Sequence, residues 1–168
     1  MIKLLLTITL LANAAIAYSS GYNRTDFSYK SYKPTTSIGF YTNQSCDFIN
    51  VDHVVSLKDA YDSGAALWSV SKKEAFANDR SNHVPSCGRV NSSKGSAGPK
   101  DFLRRSNDGK GLEYEIVRYC EYVRKYHAVK IKYGLSFASN HKGTFSDCGV
   151  DINSLDHLTL LESEYMGN

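Results

Sequence analysis

The side chains most suited to chemistry lie between residues 48 and 105. An apolar run there ends in Asp52 and His53, and two asparagines follow at Asn82 and Asn91. Histidine is the side chain whose unperturbed pKa lies near neutrality, so His53 is able to take a proton from water at neutral pH. Asp52 and Asn91 offer hard oxygen donors, which a magnesium-like ion accepts alongside retained waters. These residue types predict a site that hydrolyses a phosphodiester.

The elements that must position these side chains follow from local patterns. Strands are expected at residues 48–55 and 83–86, and helices at 57–62, 71–78 and 90–94. Ser71 and Glu74 fit a capping box at the start of the second helix, and Gly95 closes the third. The order strand, helical insertion, strand, helix predicts a ββα unit whose hairpin is opened by the insertion.

The longest helical pattern covers residues 112–132 and is ended by Gly134. Apolar or half-polar residues recur there at three- and four-residue spacing, which predicts one buried face. That face consists of Ile116, Cys120, Val123, His127 and Ile131. A last helix is expected at residues 155–164. The pattern as a whole predicts a single α+β domain.

Five ordered motifs carry a resemblance to a known family. They are Asp-His-Val-Val-Ser-Leu-Lys-Asp-Ala-Tyr-Asp-Ser-Gly-Ala at 52–65, Phe-Ala-Asn-Asp at 76–79, Asn82, Asn-Ser-Ser-Lys-Gly at 91–95 and Gly-Pro-Lys-Asp-Phe at 98–102. In these motifs the chain resembles the HNH (ββα-metal) endonucleases. The most similar part of that family is a secreted bacterial branch related to the C-terminal nuclease domain of modification-dependent restriction enzymes. The likeness covers roughly residues 46–137.

The resemblance implies roles for individual residues. His53 would be the general base, Asp52 and Asn91 would hold one divalent ion, Mg²⁺ or alternatively Mn²⁺, and Asn82 would brace the loop and the His53 ring. It also implies an α+β fold with a ββα-metal (HNH) core, a helical insertion between the two strands and a long C-terminal helix packed on the core. One departure stands out, because many members have a third histidine where this chain has Asn91.

Charge is distributed unevenly along the chain. Residues 72–132 hold fourteen Lys and Arg against seven Asp and Glu, whereas residues 143–168 hold five acids and no Lys or Arg. A basic middle favours binding to the backbone of DNA, or of RNA, with little sequence specificity. The expected phosphate contacts are Lys94, Lys100, Arg104 and Arg105. Solvated helix charges that point in many directions are the alternative interpretation of this pattern.

The N-terminus predicts export. Lys3, an apolar run over residues 4–11 and Ala15-Ile16-Ala17 form a signal peptide over residues 1–17, and a retained anchor is the alternative. Residues 18–37 are expected to be a flexible leader, and residues 38–168 a single nuclease domain with an acidic tail. After cleavage of the signal peptide, the protein is expected to be a monomer that does not associate with a membrane. Its expected location is the periplasm or the exterior of a bacterium. Its four cysteines favour disulfides, with three pairings open.

Three other functions fit parts of the sequence. A non-catalytic nucleic-acid-binding module would need the basic face but not a neutral base such as His53. A toxin nuclease delivered to another cell would need a delivery module, and none is visible. A phosphatase acting on small substrates would not need the basic surroundings. The nuclease interpretation accounts for more of these residues than any of the three.

Overall fold

The computed structural model describes residues 21–102 and 114–152 and places one small antiparallel sheet among helices. The strands are β1, Ile49–His53, and β2, His83–Cys87. The helices are α1, Leu57–Asp62; α2, Val70–Asn78; α3, Gly88–Lys94; α4, Pro99–Phe102; α5, Tyr119–Tyr133; and α6, Lys142–Ser146. The predicted α+β class is confirmed, and the chain follows the predicted order of strand, helical insertion, strand and helix.

The strand register brings two histidines together. β1 and β2 pair antiparallel from Ile49 opposite Cys87 to His53 opposite His83. The helical insertion therefore leaves the sheet at His53 and returns to it at His83. Directly opposed residues of an antiparallel pair are close neighbours. His53 and His83, which have 29 residues between them in sequence, thus become spatial neighbours through the strand pairing alone.

The helix boundaries show how local signals act. α1 has the predicted bounds, and the Ser56 side chain caps it by accepting a hydrogen bond from the Asp59 N–H at 3.0 Å. The predicted capping box at Ser71 is wrong, because Ser69 caps α2 and accepts from the Lys72 N–H. Two serines two positions apart both offer a hydroxyl, and the one in extended conformation takes the cap.

α3 follows β2 without an intervening loop. It begins at Gly88, earlier than predicted, and ends at Gly95, whose φ of +54° is readily adopted by glycine. Asn91 and Lys94 lie three residues apart on this helix and therefore share one of its faces. The helix packs against both strands, so that face lies beside the sheet.

α5 packs into the core with a face that overlaps the predicted one in part. It begins at Tyr119, and its buried residues are Tyr122, Val123, Tyr126, Val129 and Lys130, whereas Ile131 is 43% exposed. The Tyr122 ring packs edge-on against Tyr41, with centroids 5.3 Å apart. The Tyr126 hydroxyl donates to Asp59 at 2.6 Å. Ile116 and Val123 are buried as predicted, whereas most of the other buried positions of α5 are tyrosines or the paired Lys130, which aliphatic periodicity does not mark.

Two disulfides select one of the three possible pairings. Cys46 is bonded to Cys87, and Cys120 is bonded to Cys148. The first bond ties the loop before β1 to the residue that precedes α3, and the second ties α5 to the end of α6. The prediction that the cysteines form disulfides is confirmed.

The N-terminal segment, residues 21–37, lies on the domain. It contains a short 3-10 helix, Arg24–Phe27, whose Phe27 is fully buried and packs against Phe76. Tyr29 contacts the His53 ring edge-on, with centroids 4.6 Å apart. The prediction of a flexible leader is therefore wrong for this segment, because its aromatic residues, which show no helical or strand periodicity, are anchored one at a time.

Several predictions fall on residues outside the described ranges. These are the signal peptide at 1–17, the helix at 155–164, most of the acidic tail, and Arg104 and Arg105. Among the helices within residues 21–102 and 114–152, none combines the length and apolar character required to cross a membrane.

Candidate active site

An open cleft of about 430 Å³ lies where β1, α1, α3 and the N-terminal segment meet. Three of the predicted site residues, Asp52, His53 and Asn91, line it together. The other lining residues are Tyr22, Arg24, Val51, Ser56, Leu57, Lys58, Ser92, Gly95 and Ser96. The structure therefore places the predicted base and both predicted oxygen donors around one solvent-accessible volume.

His53 is held by a main-chain carbonyl. It ends β1, is 6% exposed, and its Nε2 lies 2.8 Å from the Ala77 carbonyl oxygen. Ala77 belongs to the last turn of α2, where carbonyls lack helical partners. Burial is the main cause that lowers the pKa of His53, to about 3, so the ring is neutral at pH 7. In a neutral ring with its proton on Nε2, Nδ1 is the nitrogen that can accept a proton.

His83 contacts His53 and was not among the predicted site residues. Its Nε2 lies 3.0 Å from the same Ala77 oxygen and 3.2 Å from His53 Nε2. Its Nδ1 lies 3.2 Å from the Tyr32 hydroxyl. The network assigns the tautomers: Tyr32 donates to His83 Nδ1, and both histidines donate from Nε2 to the two lone pairs of the Ala77 carbonyl. Burial also lowers the pKa of His83.

Asp52 is bound by two buried donors. Its carboxylate is 5% exposed, and Oδ2 accepts from the Tyr41 hydroxyl at 2.5 Å. Lys94 Nζ lies 3.0 Å from Oδ2 and 3.3 Å from Oδ1. Both donors are largely withdrawn from water, so charge-assisted hydrogen bonds fix the position of the carboxylate.

Lys94 does not have the predicted role. Its side chain is fully buried, and Nζ also donates to the His53 carbonyl oxygen at 2.8 Å. The prediction that Lys94 contacts a phosphate is therefore wrong, because its charge is directed into the domain toward Asp52. Lys94 instead joins α3 to the end of β1 and positions two neighbouring site residues.

Asn91 is oriented by a second asparagine that the sequence analysis missed. Asn91 Nδ2 donates to Asn50 Oδ1 at 3.0 Å, which leaves the Asn91 carbonyl oxygen as an acceptor. Asn50 and Asp52 are two residues apart on β1 and so project from the same face of the strand. This alternation was the signal that could have identified Asn50.

Asn82 braces the chain behind His53. It is fully buried, its Oδ1 accepts from the Val55 N–H at 2.8 Å, and its Nδ2 donates to the Val55 carbonyl oxygen at 3.0 Å. The two bonds act as a main-chain clamp on the turn that follows β1. The hydrogen bonds that hold the ring come from Ala77 and not from Asn82, so Asn82 acts through the backbone.

The cations around the cleft differ from the predicted ones. Arg24 and Lys58 line it, and Lys58 pairs with Asp62 at 2.7 Å. Lys100 is half-buried on α4 and is not among the residues that line the cleft. The only distinctive signal for Arg24 is a positive charge in a tyrosine-rich segment, which is too weak to identify it from the sequence.

The oxygen donors suit a hard divalent ion. Within residues 21–102 and 114–152, His, Cys, Asp and Glu form no group of three or more that could hold a metal. An ion at this cleft would therefore rest on Asp52 and Asn91 and retain several waters, as Mg²⁺ does in many sites. The long 3.3 Å contact from Lys94 leaves Asp52 Oδ1 the less engaged of the two carboxylate oxygens.

Comparison with known proteins corrects the expected family. No family model matches the chain, and no solved structure matches it. Over 100 residues it is 34% identical to an uncharacterized secreted protein of the fungus Arthroderma benhamiae. The aligned stretch covers 58% of this chain and 45% of that protein. The chain thus spans less than half the length of this relative. The assignment to a secreted bacterial branch of the HNH endonucleases is wrong, because no family model supports it and the similar protein is fungal.

Proposed function

We propose that the protein is an exported endonuclease that uses one divalent ion to hydrolyse phosphodiester bonds of DNA, with RNA as the alternative substrate. The observation that carries the proposal is the convergence of Asp52, His53 and Asn91 on one open cleft. A neutral, oriented histidine beside hard oxygen donors is what water activation at a phosphate requires. Binding alone would need neither feature.

The arrangement of elements supports a ββα-metal core. β1 delivers Asp52 and His53, β2 pairs with β1, and α3 returns Asn91 to the same cleft. This proposal rests on the geometry of the three elements. The helical insertion contributes the carbonyl of Ala77, so it forms part of the site and is more than a spacer.

The mechanism assigns a task to each residue. His53 Nδ1 takes a proton from the attacking water, while the bond from Nε2 to Ala77 keeps the ring in the basic tautomer. Asp52 and Asn91 would hold the ion, which when bound neutralises charge on the phosphoryl group and the departing oxygen. Lys94 and Tyr41 fix the Asp52 carboxylate, and Asn50 fixes the Asn91 amide.

The proposed compartment is extracellular. Two disulfides are typical of oxidising compartments, the first seventeen residues fit a signal peptide, and the fungal relative is described as secreted. These observations agree on export and do not favour a bacterial source.

Plasmid nicking by the oxidised protein tests this proposal. We expect cleavage with Mg²⁺, none in EDTA, and a loss of at least about 100-fold in His53→Ala, the usual size of a general-base contribution. His141→Ala is the matched control, because His141 is exposed and does not line the cleft. A folded protein that shifts DNA in a gel and never cuts it with Mg²⁺ or Mn²⁺ would be a binding module.

One observation favours that second function. Asp52 is already paired with the buried Lys94 and bonded to Tyr41, as in a purely structural carboxylate. The nicking assay and the gel shift together separate the two functions, since a binding module would shift DNA and leave the plasmid uncut both with and without Mg²⁺.

A further inference from the structure

The N-terminal segment adds side chains to the cleft that no motif marks. Tyr22 and Arg24 line it together with His53. The segment is fastened just beyond them, because Phe27 is fully buried and Asn78 bonds both flanks of Tyr29, accepting from the Lys30 N–H at 2.8 Å and donating to the Ser28 carbonyl at 3.2 Å. Arg24 is therefore an exposed cation on an anchored backbone.

The charge of Arg24 differs from that of the other cations at the site. Lys58 is paired with Asp62 and Lys94 with Asp52, whereas no carboxylate in the described part of the chain forms an ion pair with Arg24. Arg24 and His53 line the same cleft, so the guanidinium and the ring border the volume that a phosphate would occupy.

We propose that Arg24 binds the phosphate that is attacked, the role that the basic pattern assigned to Lys94. This inference rests on the proposed nuclease function and names the chemistry of its substrate contact. A guanidinium presents two parallel N–H groups to phosphate oxygens, which suits a group that gains charge in the transition state. It also makes the N-terminal segment part of the active centre.

The kinetic test compares three variants with the wild-type protein. Arg24→Ala should lower kcat/KM for a DNA duplex about 100-fold, as loss of one oriented donor to the transition state does. Arg24→Lys should fall between Arg24→Ala and wild type, because it keeps the charge without the planar fork. Arg124→Ala, an exposed arginine of α5 away from the cleft, should cleave as wild type does. Equal rates in Arg24→Ala and Arg124→Ala would overturn the inference.

A binding measurement separates this inference from the nuclease proposal. The affinity for a short fluorescein-labelled DNA duplex is measured in EDTA at several salt concentrations. Loss of one phosphate contact should reduce the slope of log affinity against log salt by about 0.9 in Arg24→Ala, with no change in Arg124→Ala. If the wild type binds and never cuts, the nuclease proposal fails while the slope still decides the phosphate contact. Identical slopes in the two variants would remove Arg24 from the contact.

Discussion

Lys94 changes the interpretation of the site more than any other side chain. A buried ammonium is costly unless hydrogen bonds replace its water, and Lys94 obtains them from the Asp52 carboxylate and the His53 carbonyl. The Lys94 ammonium group thereby fixes the positions of Asp52 and the His53 main chain at the end of β1. A lysine three residues after Asn91 could not be distinguished by sequence from a surface phosphate ligand.

Replacement of Lys94 should therefore lower the free energy of unfolding. Lys94→Met leaves the Asp52 carboxylate buried without its cation, and we expect unfolding to cost about 3 to 5 kcal/mol less than in wild type. Lys58→Met removes an exposed i,i+4 partner of Asp62 and should cost below about 0.5 kcal/mol. Urea unfolding at neutral pH measures both. Similar losses in the two variants would contradict the structural role.

The predicted residues that line the cleft together are those whose order and spacing are local in the sequence. Asp52 and His53 adjoin each other, and Asn91 begins the turn of helix that faces them, so residue type and order were sufficient to place all three on one cleft. His83 and Asn50 were missed because their roles depend on the strand register and on partners 30 and 41 residues away. No local sequence pattern indicates that His53 and His83 bind the same Ala77 carbonyl oxygen.

Asp79 is one of two carboxylates, with Asp59, that join the insertion to α5. Asp79 caps the 3-10 helix Arg80–Asn82, and its Oδ2 accepts from Lys132 at 2.6 Å and Tyr133 at 2.9 Å. Burial opposes ionisation, yet the hydrogen bonds from Lys132, Ser81 and Tyr133 outweigh it and hold the pKa of Asp79 below its usual value. The Asp79 carboxylate thus contributes to the contact between two elements that are distant in sequence.

This link predicts a pH-dependent stability. Because the folded pKa of Asp79 is depressed, its contribution is fully present above the unfolded pKa, near 3.8, and is lost as pH falls through that value toward the folded one. Asp79→Asn keeps the cap and should cost about 1 kcal/mol at pH 7.

Urea unfolding of wild type and Asp79→Asn at several pH values checks this expectation, with the exposed Asp62→Asn as the control. The difference in stability between wild type and Asp79→Asn should shrink below pH 4, because the ordinary pKa of an Asp carboxyl group is 3.8. A difference that stays constant down to acid pH would mean that Asp79 acts through its shape alone.

Among the elements, α1, the two strands and α3 were predictable because caps, β-branched runs and glycines act over a few residues. The buried face of α5 was predicted only in part, since Tyr122 and Tyr126 both pack in the core and the Tyr126 hydroxyl also donates to Asp59. The anchoring of the N-terminal segment was also missed, because Phe27 and Tyr29 contact the domain individually and follow no helical or strand periodicity.

The two disulfides lie in different parts of the fold, and only the Cys46–Cys87 bond adjoins an element that carries candidate site residues. Cys87 directly precedes α3, which carries Asn91 and Lys94, whereas the Cys120–Cys148 bond holds α6 against α5. The bonded residues are 41 and 28 positions apart, so the two loops restrict the unfolded chain by similar amounts.

Removal of each pair should thus give similar losses of stability and different losses of activity. We expect Cys46→Ala with Cys87→Ala, and likewise Cys120→Ala with Cys148→Ala, to cost about 4 kcal/mol each. Only the first double variant should also lose cleavage beyond its folded fraction. Nicking rates normalised to the folded fraction in circular dichroism measure this. Equal normalised rates would separate the Cys46–Cys87 bond from the site.

The carbonyl of Ala77 has a consequence for how this chain can vary. The group that orients both histidines is main chain, and it is available only because α2 stops one residue later. An alanine scan passes over it, since the residue is already alanine. An added turn of helix would instead consume the carbonyl in its own hydrogen-bond ladder. At this point the protein is therefore more sensitive to insertion and deletion than to a change of side-chain identity.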